Sequence, residues 1–362
     1  MLNKLKVFEV INNPNRISSV DFFRGIAVLA VVLFHFKGFM PFGYLGVEIF
    51  FVISGLLVGG LLTKDLNNQK PIHFFKFFLQ RGFKIWPSYY MFLLLGTGVA
   101  VLLYRESHPD QIIPLWDLKR YVFFYQNYTG GPFHWSFDHV WTLCVEEHFY
   151  ILLPILYIFI QYIFPTHKQK NALFVFVIGV IISGIILKHC SYFFTNSRDV
   201  IASTHNRIDA LGWGVLLNLI ITFFSEKVKI KKVQVYATCI GMCIFAAAII
   251  GSLYSNNSLF YKMYLHTLIP FAFALILLGV YYIDFSKLKF IQIIAYYSYN
   301  WYLWHPVFVY FIYDHIGRNW YGVTVYLTIS FLAAALSTIF IEEPLLRKRG
   351  EVLGRLFTSQ VK

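Results

Sequence analysis

Arg24 and His35 stand eleven residues apart in an otherwise apolar run from Ser18 to His35 that also holds Asp21. On a helix they fall within about 20° of each other around the axis and about 16 Å apart along it. Charged and ionisable groups in lipid are costly and turn toward a bundle interior or a wet cavity, where they mark function. A histidine in such a place can take a proton from a hydroxyl at neutral pH, and an arginine on the same stripe can hold an anion. His35 is therefore read as a general base near mid-membrane and Arg24 as a cation for an anionic cofactor. The plainer alternative is a structural pair of Arg24 with Asp21 and a satisfied core histidine.

A base of this kind needs an orienting partner. Glu48 follows after a short turn containing Pro41 and Gly43, so it should sit on an antiparallel neighbouring helix at a depth similar to His35. Glu146, in Val140-Trp-Thr-Leu-Cys-Val-Glu-Glu-His-Phe-Tyr150, is the second candidate. It shares a helix face with Tyr150, while Glu147 and His148 point elsewhere. The sequence leaves the choice between Glu48 and Glu146 open. Arg81 and Lys84, at i and i+3, precede Pro87, which is read as the start of a helix. Paired cations at a helix N-terminus suit phosphate. Arg207 and Asp209 either pair with each other or meet a substrate. Ser298, Tyr302 and His305, at i, i+4 and i+7, form one polar stripe that could serve an oxyanion or a substrate, or simply pack.

The elements that position these groups must be membrane helices. The chain has 362 residues, of which 58% are hydrophobic and 14% charged. That apolar share exceeds what soluble domains carry. The pattern predicts an all-α integral membrane protein, a bundle of about ten transmembrane helices. Their expected extents are roughly 20–39, 46–63, 86–104, 139–164, 171–188, 206–224, 233–253, 264–283, 291–313 and 320–341. Gly55 and Gly59 form a small-xxx-small pair that lets another helix come close. Most of the 31 Lys and Arg fall between spans on the side of the termini, which puts both termini in the cytoplasm. One transmembrane domain over 1–362 is expected, with short basic tails at about 1–17 and 345–362. The first span reads as a retained helix rather than a cleaved signal. The net charge of +13 lies between apolar spans and forms no single patch, which argues against nucleic acid. The four cysteines show neither metal spacing nor a disulfide framework, and no metal is expected. The aromatic segment 74–78 suits the membrane interface. The long segment 105–138 suits a lid or an acceptor surface.

Taken in order, the motifs resemble the membrane acyltransferase-3 family. They are Arg24…His35, Gly46-Val-Glu-x-Phe-Phe-x-x-Ser54-Gly55, Arg81-x-x-Lys84-x-x-Pro87, Trp141-x-Leu-x-Val-Glu146-x-x-Phe-Tyr150, Arg207-x-Asp-x-Leu, Ser298-Tyr-x-x-Tyr302-Leu-x-His305 and the closing Glu342-x-Pro344. The chain departs from the family at Lys84, where arginine is common and a bidentate fork is lost, and at Thr142, where serine is frequent. The resemblance implies an integral membrane O-acyltransferase of the bacterial inner (plasma) membrane. It is expected as a stand-alone member, because no extracellular esterase-like domain follows the last helix. The implied donor is cytoplasmic acyl-CoA, most often acetyl-CoA, and the implied acceptor a hydroxyl of a cell-envelope glycan or lipid-linked sugar. CoA phosphates would dock on Arg81 and Lys84, and the thioester would pass Arg24 to reach His35. Glu48 or Glu146 would assist, with Tyr302 or Ser298 as oxyanion donor. Membrane lipids surround such a protein, and a separate soluble partner on the outer side is left open. The competing class is a transporter or flippase of a polar envelope precursor, with Arg24, His35 and Glu48 lining its path. Such proteins usually show broken helices or inverted repeats, and the sequence shows no repeat.

Overall fold

The computed structural model describes residues 6–14, 16–36, 39–129, 134–195, 201–254 and 259–358. Its long helices are α1 (Ser18–His35), α2 (Gly46–Asn67), α3 (Phe74–Tyr104), α4 (Trp141–Ile163), α5 (Thr166–Thr195), α6 (Ile208–Phe223), α7 (Lys231–Tyr254), α8 (Leu259–Val280) and α9 (Lys289–Trp304), followed by α10 (Val309–His315), α11 (Trp320–Ser337) and α12 (Glu343–Thr358). Among the described residues there is no strand, and eight helical runs are long and apolar enough to cross a membrane. The all-α membrane architecture is therefore as the composition predicts.

Four local features differ from the sequence expectation. First, α1 stops at His35, with Phe36 already outside it. At 1.5 Å per residue His35 lies about 26 Å from Ser18, close to the whole hydrocarbon thickness of about 30 Å. His35 is thus the last residue of its helix and not an interior one. The chain turns back at once: a Cβ on Gly43 would come 2.0 Å from the Ala30 carbonyl oxygen, so only glycine lets the turn lie against α1.

Second, α3 begins at Phe74 and carries Pro87 in its interior. The expected interfacial stretch 74–78 is its first turn, and Pro87 does not start a helix. With 31 residues the helix is about 46 Å long, well beyond the hydrocarbon thickness, so its basic first turns need not enter lipid. Arg81 and Lys84 sit inside the helix, and the free N–H groups of a helix start are not beside them.

Third, the expected span 291–313 is interrupted. α9 ends at Trp304, His305–Phe308 forms a 3-10 turn, and α10 follows. Proline lacks the N–H that would reach back four residues, and Pro306 thereby releases the Tyr302 carbonyl. The His305 ring supplies the missing donor, its Nδ1 lying 2.8 Å from Tyr302 O and 3.1 Å from Trp301 O. Fourth, α6 has 16 residues, about 24 Å, which is short for a full crossing. The tail expected at 345–362 is helical through Thr358, and residues 1–5 and 359–362 of the two tails lie outside the described residues.

The chain clusters into two compact units, Met1–Ala27, Leu45–Ile72 and Val145–Ile293 forming one, and Val28–Tyr44, His73–Cys144 and Ile294–Lys362 the other. In the first, Val20, Val52, Ile53, Leu56, Leu217, Ile221, Phe273 and Leu277 form a buried core. Lipid is as apolar as these side chains, so close packing rather than water exclusion holds them. Gly55 and Gly214 make the closest approach: a Cβ on Gly55 would lie 2.0 Å from Leu211 O, and one on Gly214 2.0 Å from Val52 O. Gly59 packs against Val215. The expected small-residue seam is thus the contact of α2 with α6.

In the second unit, buried tyrosines tie backbone to backbone. Tyr104 donates to Val307 O at 2.5 Å, Tyr326 to Val32 O at 3.2 Å and Tyr89 to Tyr121 O at 2.8 Å. Between α3 and α4 a buried polar cluster forms among the described residues. Asp117, Arg120 and His134 are buried together, Arg120 donating to Asp117 and His134 Nε2 lying 3.0 Å from it. Ser136 donates to Gln111 Oε1 at 3.1 Å.

Candidate active site

His35 and His305 take their places from helix ends. In the second unit the ends of α1 and α9 bring two histidines together: His35 Nδ1 and His305 Nε2 are 3.2 Å apart, and their ring centroids 4.7 Å. Their hydrogen-bond partners fix the tautomers. His305 Nδ1 faces two carbonyl oxygens, so it carries the proton and Nε2 is the acceptor. His35 Nδ1 lies 2.9 Å from Val31 O. A carbonyl can only accept, so Nδ1 of His35 also carries a proton and shares it with His305 Nε2. The neutral His35 ring then keeps its lone pair on Nε2. Among the described residues nothing bonds to that nitrogen.

His35 also lines a cavity of about 370 Å³ with Phe34, Pro41, Trp135, Pro306, Val309, Tyr310 and Tyr313. That volume lies in the range of small-molecule sites. The side-chain hydrogen bonds of His35 in this unit go to Val31 O and His305, with no carboxylate among them. A helix C-terminus carries partial negative charge, and His35 is the last residue of α1. The unsatisfied carbonyls there can stabilise an imidazolium without a carboxylate.

A third histidine, unforeseen in the sequence, completes the cluster. His139 lies in the 3-10 turn Asp138–Val140 just ahead of α4, its ring centroid 5.3 Å from that of His305. Its Nε2 donates to Leu303 O at 3.1 Å, which leaves Nδ1 as a lone pair, buried and unbonded among the described residues. Tyr302 donates to His139 O at 2.7 Å and pairs with Thr142 Oγ1 at 2.8 Å. Its hydroxyl holds the His139 turn. Ser298 is fully buried on the same helix.

Arg81 and Lys84 also belong to this unit. Lys84 is paired with Glu342, which sits in the π-helical turn Thr338–Glu342 and also accepts from Asn300 Nδ2 at 2.7 Å. Turns of this type recur at functional sites. Arg81 is partly buried.

The remaining candidates fall in the first unit. Glu48, in the first turn of α2, accepts on Oε1 from Arg207 and from His266 Nδ1 at 2.6 Å. All three are buried, and the Arg207 guanidinium also stacks 5.4 Å over the Phe51 ring. The Arg207–Asp209 pair considered from sequence does not form. Asp209 takes Lys188 instead, Nζ to Oδ2 at 2.7 Å. Two buried anions and two buried cations thus balance, which burial of charge requires. Glu146 accepts from Tyr150 at 2.8 Å, and Tyr150 meets Ser54 Oγ at 2.7 Å. The face shared by Glu146 and Tyr150 is as the helical spacing predicts. Arg24 lies 3.9 Å from Asp21, whose carboxylate is held more closely by Arg16 at 2.5 and 2.6 Å.

Between α3 and α4, the Asp117 carboxyl has a displaced titration. Burial pushes the Asp117 carboxyl up, but hydrogen bonds from Arg120 and His134 and the Arg120 charge outweigh it and hold the carboxyl below its ordinary value.

The chain resembles O-acetyltransferase OatA of three Staphylococcus aureus strains, NCTC 8325 / PS 47, COL and MRSA252. Identity is 28% over 373 residues in each case, covering 95% of this chain and 59% of the relative. The chain thus spans a little under two thirds of the length of these relatives. No solved structure matches it. With its apolar helices and these relatives, it is a multi-pass integral protein of the bacterial plasma membrane. The profile of the acyltransferase-3 family, an acyltransferase domain, matches residues 17–342 and so reaches from the start of α1 to the turn that holds Glu342: the chain belongs to the acyltransferase-3 family.

Proposed function

We propose that this protein is a membrane O-acyltransferase that moves an acetyl group from cytoplasmic acetyl-CoA to a hydroxyl of a cell-envelope glycan or lipid-linked sugar. The observation that carries the reading is His35: its Nδ1 proton is fixed by Val31 O and His305, and the ring lines an aromatic cavity with the Nε2 lone pair uncommitted. In the proposed step, Nε2 takes the proton of the acceptor hydroxyl as its oxygen attacks the thioester carbonyl. The carbon–sulfur bond breaks, and the CoA thiolate leaves with the proton from His35. The alternative is a covalent acyl-enzyme, in which an enzyme nucleophile first takes the acyl group as the CoA thiolate leaves and the acceptor hydroxyl then takes it from the enzyme. His305 holds the base in its tautomer.

Arg24, Arg81 and Lys84 are proposed to guide the anionic donor, which has to replace Glu342 as the partner of Lys84. Glu48 and Arg207 are proposed to act through the charge balance of their own unit, and Glu146 through Tyr150 and Ser54. Tyr302 or Ser298 is proposed as the donor to the developing oxyanion, Tyr302 by turning its hydroxyl away from the His139 carbonyl.

The direct experiment is mass spectrometry of envelope glycans from cells with and without the protein. Acyl transfer predicts a mass difference of one acetyl group on one glycan species; identical glycans in both would overturn the reading. One observation favours the transporter alternative: the interruption of the helix at His305–Pro306, since broken helices form substrate sites in transporters. Proteoliposomes separate the two classes, because a flippase moves its precursor without consuming acetyl-CoA.

A further inference from the structure

The cavity at His35 has a wall that the chemistry of the base does not need. Trp135 and Tyr310 meet edge to face there, ring centroids 6.4 Å apart at 79°. Trp135 is 51% exposed. The residues on either side of it in sequence are both buried and hydrogen-bonded. Its neighbour His134 is buried, with Nδ1 3.2 Å from Asp110 O and Nε2 3.0 Å from Asp117. Its other neighbour, Ser136, is buried and bonded to Gln111. Two buried hydrogen-bonded residues therefore pin an exposed aromatic ring between them, which is the arrangement of a preorganised contact.

The rim of the cavity is charged. The Arg318 guanidinium lies 4.4 Å over the Tyr313 ring, and His108 Nε2 lies 2.8 Å from Asp314 Oδ2 with its ring 5.0 Å from Tyr310.

These features suit a ring that is apolar on its faces and polar at its edge. A pyranose with equatorial substituents fits this description. Its axial C–H bonds point at an aromatic face, whose quadrupole is negative, while its hydroxyls project sideways to phenol, guanidinium and carboxylate. A hydrocarbon chain would be served by aliphatic walls. Such a groove exists in the other unit, lined by Phe149, Leu152, Leu156, Val177, Val180 and Val215 among others, and it lacks the aromatic corner and the polar edge.

We infer that the corner of Trp135 and Tyr310 is a pyranose subsite, with Trp135 as the stacking platform that sets which sugar ring is presented to His35. The subsite names the acceptor class of the reaction proposed above and rests on that reading for its role in turnover. Binding of a sugar to it does not depend on acyl transfer.

The test is calorimetric titration of the purified full-length protein with chitotriose, whose pyranose rings expose axial C–H on both faces, against sorbitol, an open-chain polyol. Wild type binds chitotriose and not sorbitol. Trp135→Ala weakens chitotriose by tenfold or more, while Trp135→Phe, which keeps an aromatic face, stays within about threefold. Both variants keep the wild-type thermal midpoint, since Trp135 is exposed. Chitotriose binding that is equal in Trp135→Ala and wild type, or absent from wild type, overturns the subsite. Chitotriose binding that depends on Trp135 in a protein that transfers no acetyl group would remove the acyltransferase reading and leave the subsite standing. Acetyl transfer with an acceptor KM unchanged by Trp135→Ala would do the reverse.

Discussion

His305 Nε2 lies 3.2 Å from His35 Nδ1, and the two rings are nearly perpendicular at 75°. The contact joins the last residue of α1 to the first residue of the 3-10 turn after α9, and it defines which nitrogen of His35 can act as a base. A carboxylate is the usual partner of such a ring. Here a second histidine and the carbonyls of two helix ends occupy that place. His305 is accordingly a positioning residue: His305→Ala lowers kcat for acetyl transfer about 3- to 10-fold, the worth of one ordinary hydrogen bond, with the acetyl-CoA KM unchanged. His305→Asn, which can still donate to the Tyr302 carbonyl, recovers part of the rate. Steady-state kinetics of both variants decide this, and an unchanged kcat in His305→Ala contradicts it.

The buried pair of Glu48 and Arg207 predicts a loss of stability. Removing one partner leaves a buried charge, which typically costs about 3–5 kcal/mol. Glu48→Ala and Arg207→Ala should each lower the thermal midpoint in detergent sharply. The double variant should lose much less than the sum of the two, because neither charge is then left alone. Additive losses would show that the two groups do not balance each other. A Glu48→Ala protein that keeps its midpoint and loses turnover would assign Glu48 directly to catalysis.

Lys84 and Glu342 give two predictions of opposite sign for the donor. Arg81→Ala combined with Lys84→Ala weakens acetyl-CoA binding and flattens its dependence on salt, since exposed charge interactions are screened. Glu342→Gln frees the Lys84 ammonium and tightens acetyl-CoA several-fold. Titrations at low and high ionic strength read both effects. Equal affinity in all three proteins would exclude this cationic face as the donor site.

Asp117 sets a pH dependence of stability. Its carboxyl is held below its ordinary value by Arg120 and His134, so the folded state favours the ionised form. The stabilisation is complete above the ordinary carboxyl value of about 3.9 and is lost as pH falls through the lowered folded value. Asp117→Asn should therefore destabilise the segment between α3 and α4 by about 2 kcal/mol at neutral pH. The difference from wild type should shrink below about pH 4. Thermal midpoints measured from neutral to acid pH test the sign; a gap that widens on acidification contradicts it.

Part of the local geometry was legible in the residues. The helix from Ser18 to His35 follows from its apolar run, and the pairing of Glu146 with Tyr150 follows from helical spacing. Gly55 announced a close helix approach, which the contact of α2 with α6 provides. The two prolines teach the opposite lesson. Pro87 was read as a helix start and lies inside α3, whereas Pro306 was read through and ends α9. The residue type is the same, and the difference lies in what replaces the lost N–H. At Pro306 the ring of the preceding histidine does so. Glu48 could not be matched to Arg207 and His266 from one sequence, because partners 159 and 218 positions away carry no local signal. His139 escaped notice because it stands in a turn before an apolar span, outside any periodic pattern.

The central claim is that His35 Nε2 is the base of an acetyl transfer. Purified wild-type and His35→Ala proteins, supplied with labelled acetyl-CoA and envelope glycan, test it most directly. The account predicts that His35→Ala keeps its thermal midpoint and its acetyl-CoA affinity while transfer to glycan falls by about 10²- to 10⁴-fold, the usual contribution of a general base. Transfer at the wild-type rate by a folded His35→Ala protein would contradict it.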